Sequence, residues 1–156
     1  MDPYSELQAA ARVQGLASTV VGLIVVRQQR ILLLKRRPDD FMPDIWEIPG
    51  GHVDPGETLA QACARELHEE TSLALTEIVS HAGGYDYDGE FGRTRQWNFW
   101  VKARGDAVVH PEHAAYRWVL PRDWHTLPMS PEMRASLDAF AAGPLYAAAA
   151  AQEELP

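Results

Sequence analysis

Glu66, Glu69 and Glu70 put three carboxylates within five positions, with Arg65 beside them and Glu57 eight residues before that arginine. Carboxylate oxygens, backbone carbonyls and water are the ligand set of hard divalent cations, and magnesium bridges protein carboxylates to substrate phosphates. No lysine follows at i+4 to relieve the repulsion. A like-charged pair spaced as Glu66 and Glu70 costs an isolated helix about 0.2–0.5 kcal/mol. A solvated charged face would account for that much. The segment leading in, IPGGHVDPGE, favours a site, because Gly50 and Gly51 can bring bare backbone close to a ligand.

These residues need a helix to hold them, and Thr58 to about Thr71 reads as one. At ~100° per residue, Glu70 lies about 40° to one side of Glu66 and Glu69 about 60° to the other. Ala60, Cys63, Ala64 and Leu67 define a separate apolar stripe. The expectation is therefore a helix with its carboxylates on one side and a neighbouring side in the core. Cys63, the single cysteine, lies on that stripe and reads as a small core residue. His52 and His68 read as bystanders to an oxygen-rich site.

Around the helix, STVVGLIVV and ILLLKRR flank the polar RQQR and predict a hairpin. The prolines and glycines of PDDFMPDIWEIPGGHVDPGE predict a loop. LALTEIVSHAGG and RTRQWNFWVKAR predict strands separated by the turn YDYDGEFG, and AYRWVL a further short strand. Asp2, Pro3 and a Ser5–Gln8 capping box predict a first helix. Ser130 and Pro131 predict a last one, ended by Gly143–Pro144. The alternation points to an α/β fold, a mixed sheet covered by helices. Residues 1–143 are expected to form one domain, and 144–156 a low-complexity tail that either extends as a helix or stays disordered.

A chain of 156 residues is long enough to bury its own core. Its net charge of −8 is local: residues 39–70 hold nine acids and one base, while the remaining 13 acids and 13 bases balance. Such a field repels a phosphate polymer unless cations intervene, so no nucleic-acid polymer is expected as a partner. The apolar runs are too short to span a bilayer, and the N-terminus MDPYSELQAA is unlike a signal peptide. A cytoplasmic protein without a membrane partner is expected. The N-terminal helix and the alanine-rich tail offer surfaces for a homodimer.

From Gly51 the spacing runs Gly51, five residues, Glu57, seven residues, Arg65-Glu66-Leu67, one residue, Glu69-Glu70, one residue, Ser72-Leu73. It is similar to the box of the Nudix hydrolases, G-x5-E-x7-R-E-U-x-E-E-x-G-U with U aliphatic. Residues 51–73 keep eight of its nine positions, and Trp46, Pro49 and Gly50 fit the approach to it. Ser72 stands where the family has its late glycine. A glycine suits the left-handed turn that ends a helix, and a serine held there costs about 1 kcal/mol.

The resemblance implies an α/β/α sandwich with a mixed β-sheet. It also implies hydrolysis of the diphosphate bond in a nucleoside diphosphate linked to another group, with Mg2+ or Mn2+ as cofactor. Carried across, Glu66, Glu69 and Glu70 would hold the cations together with the carbonyl of Gly50. Glu66 would take the proton of the attacking water; Glu112, just before a strand, is the alternative base, or else a surface loop acid. Arg65 would anchor carboxylates such as Glu57, or form a plain exposed salt bridge, with Gly51 and Glu57 supporting the site. Arg36 and Arg37 would bind substrate phosphate, or merely solubilise a strand end; Arg93 and Arg95 are weaker candidates of that kind. No aromatic residue is assigned to stack on a base.

Tags outside the box narrow the substrate only by elimination. Asp88 stands where ADP-ribose hydrolases often carry a proline, and the SQPWPFPxS segment of NADH hydrolases is absent. Tyr85 and Tyr87 lie near, not at, the tyrosine of diadenosine polyphosphate hydrolases. Isopentenyl diphosphate isomerases need a cysteine outside the helix, and Cys63 is the only one. There remains a MutT-like nucleoside triphosphate pyrophosphohydrolase acting on a small nucleotide and giving NMP and pyrophosphate. The alternative is an ADP-ribose or nucleotide-sugar pyrophosphatase. A nucleotide-binding regulator without turnover would have lost one of Glu66, Glu69 and Glu70, and all three are kept.

Overall fold

The computed structural model describes residues 2–153. β1 (Ser18–Arg27) and β2 (Arg30–Arg36) form the expected hairpin, joined through Gln28 and Gln29 at φ of 50° and 65°. Two left-handed residues match the turn to the twist of the strands. The pair then splays: β2 meets β1 at Val26–Ile31 and Arg27–Arg30, and β4 (Gly50–His52) pairs with β1 earlier, at Val20–His52, Val21–Gly51 and Gly22–Gly50. The segment expected to be all loop therefore holds two short strands, β4 and β3 (Trp46–Glu47), the latter on β2. Elements of two and three residues fit between its prolines.

β6 (Gly92–Arg104) runs parallel to β1, and β5 (Ala74–Gly89) pairs antiparallel with β6. β7 (His113–Val119) pairs with β2, so the order β3-β2-β1-β6-β5 is a mixed sheet. β5 is longer than expected, for YDYDG belongs to the strand and the turn shrinks to Glu90–Phe91. Asp86 and Asp88 stand opposite Arg95 and Arg93 and pair with them at 2.7 and 3.2 Å. Opposite charges facing across strands stabilise such a ladder, and Arg93 and Arg95 are engaged in it.

Successive residues of a strand point to opposite faces, and both faces of β1 are buried. Val21, Leu23 and Val25 meet Leu59, Ala62, Cys63 and Leu67 of α2 (Leu59–Thr71), with Ala11 of α1 (Ser5–Val13) alongside. Ile24, with Trp100, Trp46 and Ile48, meets Met133, Leu137 and Phe140 of α3 (Pro131–Ala142) and Ala149 of α4 (Pro144–Glu153). The architecture is an α/β/α sandwich. The alanine-rich segment is helical over Pro144–Glu153, and Tyr146 donates to the carbonyl of Gln29 at 2.8 Å. α1 begins differently from expectation: Tyr4 precedes it without a side-chain cap. Gln8 donates instead to the carbonyl of Glu57 at 3.0 Å, a tertiary bond that ties α1 to the entry of α2. Cys63 is fully buried, and that burial, helped by the charge of Glu57, pushes its thiol up to about 12. Such a thiol is a core residue, not a nucleophile.

Candidate active site

α2 starts on a capping box: the Thr58 hydroxyl accepts from the Gln61 amide at 3.1 Å and the Gln61 side chain accepts from the Thr58 amide at 2.9 Å. It stops at Ser72, whose φ of 66° is left-handed. Between them the buried stripe is not the expected one. Leu59, Ala62, Cys63, Leu67 and Glu70 are buried, whereas Ala64 is exposed. Glu66 and Glu70 thus lie on the inward face, with only Glu69 turned to solvent. The reason is the glycine pair under the last turns of the helix. A β-carbon on Gly51 would run into the carboxylate of Glu66, and the Gly50 amide donates to Glu70 Oε1 at 2.6 Å. The stripe that packs the core continues as the stripe that makes the site.

Arg65 ties four acids together. Its Nε reaches Glu57 Oε2 at 2.7 Å and its Nη2 reaches Glu57 Oε1 at 2.8 Å, a two-pronged bond. Its Nη1 donates to Glu66 at 2.7 Å and Glu69 at 3.2 Å, Nη2 also to the His52 carbonyl at 2.9 Å, and Asp54 lies 3.5 Å from Nε. Bidentate charge-assisted bonds of this kind are the strong ones. They hold the Glu57 carboxyl below its ordinary value. Glu66 goes the other way: burial raises it, against the pull of Arg65, and the charges of Glu69 and Glu112 add to the rise.

Glu70 is pushed up to about 8, chiefly by burial, against the Gly50 amide and His113, with Glu47 and Glu66 adding repulsion. His113 stands between two of these acids, with Nε2 at 3.4 Å from Glu47 and Nδ1 at 3.5 Å from Glu70. Its Nδ1 is buried and makes no hydrogen bond. Glu47 also accepts from Arg36 Nε at 2.8 Å, so Arg36 stands at the edge of the cluster. Arg37 turns to Asp39 at 3.0 Å and to the carbonyl of Pro111 at 2.9 Å. Glu112 itself is exposed, in the turn just before β7. Glu47 and His113 had no mark in the sequence, because only the pairing of β2 with both β3 and β7 brings them to Glu70.

Could these residues hold a divalent cation? Among the described residues no three His, Cys, Asp or Glu side chains stand ready-placed around one. Glu66 and Glu69 are engaged by Arg65, and Glu70 by Gly50. The donors are nonetheless oxygens, and two of the acids are raised by burial among like charges that a cation would offset. Gly50 adds one more oxygen. The bonds of Leu23 to Pro49 and of Val53 to Thr19 set the ladder, so by alternation Gly50 turns its amide and carbonyl away from β1. The residues fit the group.

A family model for the NUDIX domain matches residues 16–140. This chain belongs to the Nudix family. Among curated Nudix relatives, the CTP pyrophosphohydrolase of Escherichia coli K12 is 32% identical over 126 residues, covering 79% of this chain and 90% of that one. The dihydroneopterin triphosphate diphosphatase of the same organism is 31% identical over 115 residues, covering 62% and 75%. Among solved structures, the MutT NUDIX hydrolase of Burkholderia pseudomallei superposes with a TM-score of 0.70 at 27% identity, covering 78% and 96%. The chain is a Nudix hydrolase, and the α/β/α fold and family expected from residues 51–73 stand.

Proposed function

We propose that this Nudix hydrolase cleaves a nucleoside triphosphate to the monophosphate and pyrophosphate, using Mg2+ or Mn2+ held by Glu66, Glu69, Glu70 and the carbonyl of Gly50. The observation that carries this is the desolvated pair Glu66 and Glu70, folded onto two glycines among further acids. The triphosphate substrates of two relatives, CTP and dihydroneopterin triphosphate, support the substrate class. When bound, such cations acidify water and offset the charge on phosphate oxygens. The chain supplies position and a proton acceptor, which phosphoryl transfer mainly requires. Glu66 takes the proton of the attacking water as its oxygen bonds to phosphorus, and Glu112 holds the same water in line. The bridging P–O bond breaks with its electrons on the departing pyrophosphate. Arg65 keeps Glu66 aimed, and Arg36 meets the phosphates from the Glu47 side. The site lies in a cytoplasmic nucleotide pool.

A panel of CTP, UTP, ATP, GTP, ADP-ribose, a nucleotide sugar and a dinucleoside polyphosphate, each with Mg2+ and with excess chelator, tests this. Pyrophosphate and NMP from at least one triphosphate, abolished by chelation, are expected. Turnover of ADP-ribose or the nucleotide sugar alone would move the substrate class. No metal-dependent turnover of any would leave a nucleotide-binding role.

A further inference from the structure

Ser72 departs from the Nudix pattern, and its backbone is left-handed at φ 66° and ψ 0°. A side chain there is a cost that glycine avoids, so something must hold it. Its hydroxyl lies 2.8 Å from Nε2 of His110, on the segment that joins β6 to β7. One residue back, the carbonyl of Thr71 accepts from the Val108 amide at 2.9 Å. Thr71 is itself fixed, being buried with its hydroxyl on the Leu67 carbonyl at 2.6 Å. From the other side, Arg37 donates to the Pro111 carbonyl at 2.9 Å, and the His113 amide closes the turn on the His110 carbonyl at 3.0 Å. These bonds grip the chain on either side of Glu112. The acid is exposed and, among the described residues, no hydrogen bond of its own side chain holds it. Its position is set by the backbone alone.

We propose that Ser72 and His110 are positioning residues for the reaction, a staple from the end of α2 that holds the turn carrying Glu112. The inference rests on the role given above to Glu112. A hydrogen bond in place of a glycine exchanges an unstrained helix end for a located acid. Misplacement by on the order of 1 Å can cost a catalytic group as much as 10²-fold, so loosening this turn reads out in turnover before it reads out in folding.

The test compares kcat, KM and Tm for Ser72→Gly, Ser72→Asn, His110→Ala, the Ser72→Gly/His110→Ala double variant and Glu112→Gln, on whichever triphosphate the protein turns over. Ser72→Gly relaxes the backbone, so its Tm should not fall, yet kcat should drop about tenfold with KM within about twofold. Ser72→Asn, which tolerates left-handed geometry and keeps a polar side chain, should recover at least half the rate. His110→Ala should match Ser72→Gly, and the double variant should be no slower than either. Ser72→Gly and His110→Ala both within twofold of the native kcat, with Glu112→Gln slow, would overturn the staple and leave the role of Glu112 intact. A loss confined to Tm would overturn it as well. Glu112→Gln at the native rate would remove the role of Glu112, and the staple with it.

Discussion

Glu66→Gln is expected to lower kcat by about 10³-fold, within the 10²–10⁴ that a positioned general base contributes, while Tm changes little. Glutamine is nearly the same shape, and its amide oxygen can still accept from Arg65 Nη1, now 2.7 Å from Glu66. The backbone of Gly51, which leaves room for that side chain, is untouched. What disappears, on the proposed mechanism, is a proton acceptor and one charge of the proposed cation site. Glu112→Gln in parallel separates the two carboxylates, because a mere helper should cost less than the base. Quench-flow or steady-state release of pyrophosphate under saturating Mg2+ measures both. A Glu66→Gln protein at near-native rate would move the base to Glu112.

Arg65→Ala is expected to cost about 3 kcal/mol of stability as well as most of the activity. Hydrogen bonds to charged groups contribute about 1.5–3 kcal/mol each, and breaking a buried ion pair costs about 3–5 kcal/mol. Arg65 is only partly buried, with 27% of its side chain exposed, so the lower figures apply. Without it Glu57, Glu66 and Glu69 repel one another with no cation among them. The sign with pH follows from Glu57. Its carboxyl is held below the ordinary glutamate value in the folded protein, first by its bond to Arg65. Its share of stability is therefore present above the ordinary, unfolded value and fades as pH falls through the lower, folded one. Urea unfolding of native and variant proteins between about pH 3 and 7 should show a gap that is wide near neutrality and narrows on the acid side. A gap below about 1 kcal/mol at pH 7 would reduce Arg65 to an ordinary surface pair.

The box made α2 and its carboxylates legible because a spacing along one helix is local information. The hairpin was legible for the same reason, from branched residues around RQQR. The orientation of the carboxylates was not. Their angles around the helix were right, but which stripe faces inward depends on Gly50 and Gly51 passing under the last turns. That contact spans some twenty residues, and no periodicity encodes it. The first strand of the β5–β6 pair was cut short for a related reason: acids and glycines in YDYDG read as a turn until Arg93 and Arg95 face them. Glu47 and His113 flank Glu70 only because β2 carries β3 and β7, and Ser72 reaches His110 across 38 positions. Fold class and family were readable; the neighbours of the carboxylates were tertiary.

Buried Glu70 and half-buried Glu66 are on this account a place kept for cations that come with a triphosphate. Calorimetric titration of Mn2+ into the native protein, alone and with a non-hydrolysable nucleoside triphosphate analogue, measures that directly. Uptake should appear and tighten with the analogue, and it should weaken at least tenfold in both Glu66→Gln and Glu70→Gln. No uptake by the folded native protein, even with the analogue bound, would contradict the account.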